Sequence, residues 1–196
     1  MIHPHTALKF VNETIGNGVF ATAPIPMGTI AYALDALDLH FTRDDPRLSD
    51  PAYRDIILKY STREVDGSYT MSLDIARYVN HCCHYNTLTT GYGFEIAVRD
   101  IAAGEEITDD YGVFNLEEPL PLACHYPDCR IYAYPDDYDR MLERWDADAR
   151  RALSHLFSVP QPLFTYIEPD ALDFVRRYIM TGRGYRSVAE MRYKVG

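Results

Sequence analysis

No stretch of about 18 apolar residues occurs in this 196-residue chain, so a membrane-spanning helix is not expected. The first residues, MIHPHTALKF, lack both the basic head and the apolar run of a secretory leader. A cytoplasmic protein is therefore the default expectation, with a secreted effector or a nuclear address left open. Positive charge is also in short supply. The 19 Lys and Arg residues are outnumbered by 29 Asp and Glu, giving a formal charge of −10. Such a surface repels a phosphate backbone, so direct nucleic-acid binding is not expected; it suits a basic protein or peptide instead. Cysteine is sparse as well. Cys82, Cys83, Cys124 and Cys129 are too few for a disulfide framework and are expected as thiols or metal ligands. No internal repeat or low-complexity tract is present.

What the chain does contain is a change of texture along its length, which its size limits to one domain with an appendage. ALKFV, GVFAT and TIAYAL, punctuated by Gly16, Gly18, Pro24, Pro26 and Gly28, predict short strands. Asp50 and Pro51 then read as a helix cap and first helical position, followed by Tyr53, Ile56, Ile57 and Tyr60 as the packing stripe of an inserted helix, with Gly67 closing the insert. Strands return at SYTMSLDI and FEIAVRD. The segment EEPLPLACHYPDCRIYAYPDD is loop-like. Beyond it, Tyr138, Met141, Leu142, Trp145, Ala149, Leu153 and Leu156 mark an amphipathic helix. A second helix starts near Pro169 and stops before Gly182. The fold class is mainly β, with a helical insert and a helical tail.

Three motifs carry chemistry. Gly16-Asn17-Gly18-Val19-Phe20-Ala21 is a GxG turn whose backbone can approach a ligand closely; it lacks the third glycine and the βαβ setting of a dinucleotide fingerprint, which argues against NAD. Arg77 to Asn86, RYVNHCCHYN, packs His81, Cys82, Cys83 and His84 side by side. On an extended chain neighbouring side chains point to opposite faces, so these four do not converge on one metal; a Cys–His nucleophile or a polar segment beneath a site are the alternatives. Val98 to Gly112 reads as strand, acidic turn, strand, then Asp110-Tyr111-Gly112.

In this order and spacing the three motifs resemble the SET-domain protein lysine methyltransferases, whose pattern runs GxGxFA, RFINHSCxPN and AxRDIxxGEE(L/I)TxDYG. The resemblance covers about residues 7–130. It implies a β-clip fold with a pseudoknot-like crossover between residues 77–86 and 106–112. It further implies a SET domain over 5–114 with a helical insert at about 46–66, a post-SET-like segment over 115–135, and a C-terminal helical tail over 136–196. The activity it implies is methyl transfer from S-adenosylmethionine to a lysine of a basic protein or peptide, a histone among the options. A SET-fold binding module without catalysis is the alternative, and a Cys–His hydrolase a third class. By the resemblance, Tyr111 is the catalytic tyrosine; Gly16, Asn17, Gly18, Phe20, Asn80 and His81 hold the cofactor; and Cys83, Cys124 and Cys129 fill three of the four positions of a zinc site. Leu122 stands at the fourth, so His84 or His125 completes the site, or it is an unmetallated turn. Asp109 replaces an aromatic that controls how many methyls are added; it either walls the lysine channel or points to solvent. The tail is free to cap the body, shape the substrate groove or form a homodimer.

Overall fold

The computed structural model describes residues 1–194. β1 (Thr6–Asn12) and β2 (Gly16–Ala21) form an antiparallel hairpin. β3 (Ile30–Ala33) follows, and β4 (Leu39–Phe41) opens the insert. The insert continues through α1 (Pro51–Tyr60), β5 (Ser61–Arg63) and β6 (Tyr69–Met71), the three strands making one sheet in the order β4-β6-β5. As the sequence predicts, Asp50 caps α1 by accepting the Ala52 N–H at 2.9 Å, and Pro51 gives up nothing at a position whose N–H has no helical partner. The predicted stripe is only partly covered. Ile57 is buried against Phe41 and Met71, whereas Tyr53 and Ile56 are 52% and 57% exposed. A three-stranded sheet is too narrow to cover more than one row of the helix.

β7 (Asn80–His81), β8 (Thr87–Thr89), β9 (Phe94–Ala97) and β10 (Glu106–Asp109) build the centre. β9 lies between β3 and β8, and β10 lies between β2 and β7. The β10–β7 pairing is parallel, Thr108 beside Asn80 and Asp109 beside His81. Asn86 secures it from within. Its N–H donates to the Thr108 carbonyl at 3.1 Å, its side-chain oxygen accepts from the Thr108 N–H at 2.9 Å, and its side-chain amide donates to the Glu106 carbonyl at 2.7 Å. With no exposed surface, this side chain stands where a buried amide must find backbone partners.

A small ribbon, β11 (Leu120–Pro121) and β12 (Tyr132–Ala133), spans the loop-like segment. α2 (Asp137–Leu153) and α3 (Pro169–Thr181) come next. α3 ends where Gly182, at φ 68°, takes the left-handed conformation and donates its N–H to the Tyr178 carbonyl at 2.7 Å. Trp145, Ala149 and Leu153 of α2 are fully buried in the same cluster as Leu88, Phe94 and Ile96 of the sheet, so the helices cover β8 and β9 and share the main core with them. Among the described residues no helix is long and apolar enough to cross a membrane.

Candidate active site

The parallel β7–β10 pair brings the second and third motifs side by side, and β2 delivers the first. Gly18 lies under the junction. A Cβ there would stand 2.3 Å from Glu106 Oε1 and 2.9 Å from Asn80 Nδ2, so only glycine leaves room for those two side chains. The Asn80 amide donates to Glu106 Oε1 at 2.8 Å and to the Asn17 carbonyl at 3.0 Å. Gly16 has φ 83°, and nothing stands within 4 Å of where its Cβ would be. Phe20, two residues from Gly18 and so on the same face of β2, pairs with Glu106 in register and carries the Lys9 ammonium over its ring at 5.1 Å.

Tyr111 opens a 3₁₀ turn, Tyr111–Phe114, capped by Asp110, which accepts the Gly112 N–H at 3.0 Å. The Tyr111 hydroxyl donates to the Val79 carbonyl at 2.9 Å, and its N–H donates to His81 Nδ1 at 3.1 Å. Burial above all pushes the phenol above its ordinary range, and the Glu106 carboxylate adds to it, so it is neutral at physiological pH. His81 is buried, and burial pushes its imidazole down to about 4. One ring nitrogen serves Tyr111; the other lies 3.4 Å from Cys83 Sγ. The His81 side chain is thus committed within the chain.

Tyr111 forms part of the wall of a cavity of about 500 Å³, together with Tyr60 of the insert, Val79, Phe94, Glu95 and Phe114. Asp109 does not point to solvent. It has no exposed surface, its Oδ1 accepts the Asp110 N–H at 2.6 Å, and its Oδ2 is buried without a partner. Burial and then the charge of Glu95 raise it well above the usual carboxylate range.

One hub was not legible in the motifs. The Asp110 carboxylate receives Arg130 Nη1 at 2.9 Å and Trp145 Nε1 at 3.1 Å, and Arg130 also lies 3.1 Å from Asp137. This buried network ties the tyrosine's turn to the loop before β12 and to α2. Gly112 permits it, since a Cβ there would come within 3.0 Å of the Asp137 side chain.

The Sγ atoms of Cys83, Cys124 and Cys129 lie within 4.8 Å of one another, Cys83 and Cys129 at 3.6 Å. Thiolates sharing a tetrahedral zinc stand roughly 3.8 Å apart, as Zn–S bonds of about 2.3 Å require, so the three fit such a site. Neither expected histidine completes it. His84 Nε2 is 2.9 Å from Asp128, and His125 stacks on Tyr126. Cys82 and Cys83 are not supported as nucleophiles either. Burial pushes Cys82 up to about 11 and Cys83 up to about 12, the reverse of the lowered value that reactivity needs.

Comparison with known proteins agrees with the motifs. The family profile described as SET domain matches residues 16–112. The histone-lysine N-methyltransferase set1 of Dictyostelium discoideum is 42% identical over 92 aligned residues, covering 37% of this chain and 6% of its own length. The H3 lysine-4 specific histone-lysine N-methyltransferase of Saccharomyces cerevisiae is 31% identical over 124, covering 50% and 12%. Trithorax of Drosophila melanogaster, also a histone-lysine N-methyltransferase, is 28% identical over 132, covering 63% and 4%. The chain therefore spans only a small part of these relatives. Among solved structures, the methyltransferase domain of human histone-lysine N-methyltransferase SETMAR aligns with TM-score 0.45 and 17% identity over 68% of this chain and 58% of that one.

Proposed function

We propose, for a chain whose residues 16–112 form a SET domain, that its activity is the transfer of a methyl group from S-adenosylmethionine to a lysine side chain of another protein. The observation that carries the reading is the placement of Tyr111. The turn that bears it is bonded to His81 and Val79, which flank Asn80, and its ring forms part of the wall of the cavity.

The residues present suit the cofactor. Open backbone at Gly16 leaves room for a ligand, while the Asn17 carbonyl and the Glu106 carboxylate, held in place by the Asn80 amide, offer acceptors for the ammonium of an amino-acid head group. When bound, S-adenosylmethionine supplies an electrophilic methyl on a cationic sulfonium. The chain's own part is to deliver a free amine in line with it. A lysine ammonium with pKa near 10.4 costs about 4.6 kcal/mol to deprotonate at pH 7, and a dry cavity reduces that cost by disfavouring the charged form. Because Tyr111 gives its proton to the Val79 carbonyl, its oxygen is left as an acceptor that can hold an amine N–H and so aim the lone pair. Orientation of this kind is a large fraction of what an enzyme contributes. Three thiols positioned for zinc would brace residues 124–129 against Cys83.

A chain of net charge −10 favours a basic substrate, and the relatives named for histone-lysine methylation make histones the first substrates to try. Labelled S-adenosylmethionine incubated with a panel of basic proteins is the test. Label is expected in one or more of them, with Tyr111→Phe retaining cofactor affinity and losing at least about 100-fold in turnover. Equal labelling by wild type and Tyr111→Phe rejects the assignment.

A further inference from the structure

The cavity contains an acid that the reaction described so far does not use. Glu95 sits on β9 between Tyr32 of β3 and Thr89 of β8, and its side chain forms part of the same wall as Tyr111. Among the described residues its carboxylate makes no hydrogen bond or ion pair, and burial raises its affinity for a proton more than the charge of the Met1 ammonium lowers it. Behind it Asp109 is sealed from solvent, its Oδ2 without a partner. An isolated carboxylate in such a place is costly, so Asp109 is held as a neutral acid. The single charge of the pair then resides on Glu95, the member that reaches the cavity.

The neighbouring groups leave that charge unspent. Tyr32 faces Glu95 from β3 as a phenol bonded to Asp38. The amino group of Met1 is paired with Asp35 at 2.9 Å. Asp110, next to Asp109, is taken by Arg130. Of the four basic residues lining the cavity, Arg63 pairs with Glu117 at 3.3 Å, Lys59 and Arg77 lie over the Tyr60 and Tyr78 rings, and neither these nor Arg54 forms an ion pair with Glu95.

We propose that Glu95 accepts the proton that the substrate ammonium must lose before methyl transfer. The proposal rests on the lysine methyltransferase reading. In the step, one N–H bond of the ammonium breaks and one O–H bond forms on Glu95, giving a neutral amine and a neutral carboxylic acid. The proton later leaves to solvent through the mouth of the cavity. Tyr111 is unsuited to this task, because its own proton is bonded to Val79 and burial makes its phenolate harder to form. Glu95, pushed by burial up to about 7, has the affinity that suits a base at neutral pH.

The test compares wild type, Glu95→Gln, Glu95→Asp and Asp109→Asn, with labelled S-adenosylmethionine and mixed core histones. Wild-type turnover should rise through an inflection near pH 7. Glu95→Gln should lose the inflection and about 100-fold in kcat, the low end of what a proton-transfer residue contributes, with cofactor affinity kept. Glu95→Asp should retain the inflection at a reduced rate, and Asp109→Asn, a neutral group for a neutral acid, should leave the inflection in place. Glu95→Gln with the wild-type rate and profile overturns the proposal. A second readout does not need turnover. Carbon NMR of protein labelled at glutamate carboxyls should show one group titrating near pH 7, absent from Glu95→Gln and moved by n-butylammonium. If every glutamate titrates in the ordinary range, Glu95 is not the base, whether or not methyl is transferred and whether or not Glu95→Gln folds. A wild type that transfers no methyl, yet keeps this titration and its response to the amine, removes the methyltransferase reading and leaves the contact between Glu95 and an amine.

Discussion

The N–H of Tyr111 donates to Nδ1 of His81 at 3.1 Å across 30 residues of sequence. The bond fixes His81 as an acceptor on that nitrogen, so its proton belongs on Nε2, the nitrogen 3.4 Å from Cys83 Sγ. The imidazole is thereby a spacer that sets how far the tyrosine's backbone stands from β7.

Removing the spacer should loosen the tyrosine more than it disturbs the ligand-facing backbone of β2. His81→Ala is expected to lower kcat by about 10- to 100-fold, the scale of effect that misplacement by an ångström produces, with a smaller change in S-adenosylmethionine affinity. His81→Gln, which restores an acceptor oxygen, should recover part of the loss. Steady-state rates beside calorimetric titration of the cofactor separate the two quantities.

Arg130→Met should cost about 3–5 kcal/mol at pH 7, because removing one partner leaves buried charge uncompensated. Asp110 and Asp137 would then face each other without the guanidinium, and burial already raises Asp137 while Arg130 pulls it down. The sign of the pH dependence follows. A carboxyl whose folded pKa rises above its unfolded value destabilises at higher pH, and the penalty fades as pH falls through the folded value. The variant should therefore lie closer to wild type at pH 5 than at pH 7. Urea unfolding of both proteins at the two pH values measures this.

Zinc, if Cys83, Cys124 and Cys129 hold it, should copurify at near one equivalent when chelators are omitted. Cys129→Ser should lose the metal. Amide exchange over residues 115–135 should accelerate on metal removal, while α2 stays protected. Metal-free protein with unchanged exchange would identify the three thiols as a packed turn.

Much of the architecture was legible because its signals are local. Asp50 and Pro51 announce α1, Gly182 ends α3, and the stripe through Trp145 marks α2. The neighbourhood of Tyr111 was legible as a pattern of residue types, since the close contacts at Gly18 and Asn80 admit few alternatives. The two acids before Tyr111 were not. Ile107, Thr108, Asp109 and Asp110 are all buried, so the strand is covered on both faces and alternation carries no information about which side a residue takes. Nor could sequence say that Asp110 meets Arg130 and Trp145, respectively 20 and 35 positions away, while Asp109 meets neither. Glu95 was hidden for a similar reason. Its charge in FEIAVRD suggests a solvated strand face, whereas it borders a cavity closed by the insert and by residues after Tyr111.

The parallel register that sets Asn80 beside Thr108 and His81 beside Asp109 has a bearing on the life of the chain before it is finished. The two strands are 28 positions apart, and each is only a few residues long, so the pairing repays its loop-closure entropy only when the surrounding core is already in place. Partly folded forms, including a nascent chain still emerging from the ribosome, would hold the motifs without the geometry. A small molecule that requires that geometry binds the finished protein alone, and it stabilises that state by an amount set by its free concentration relative to its Kd. Retention of the cofactor would then serve as quality control, separating completed molecules from every shorter or looser version of the same sequence.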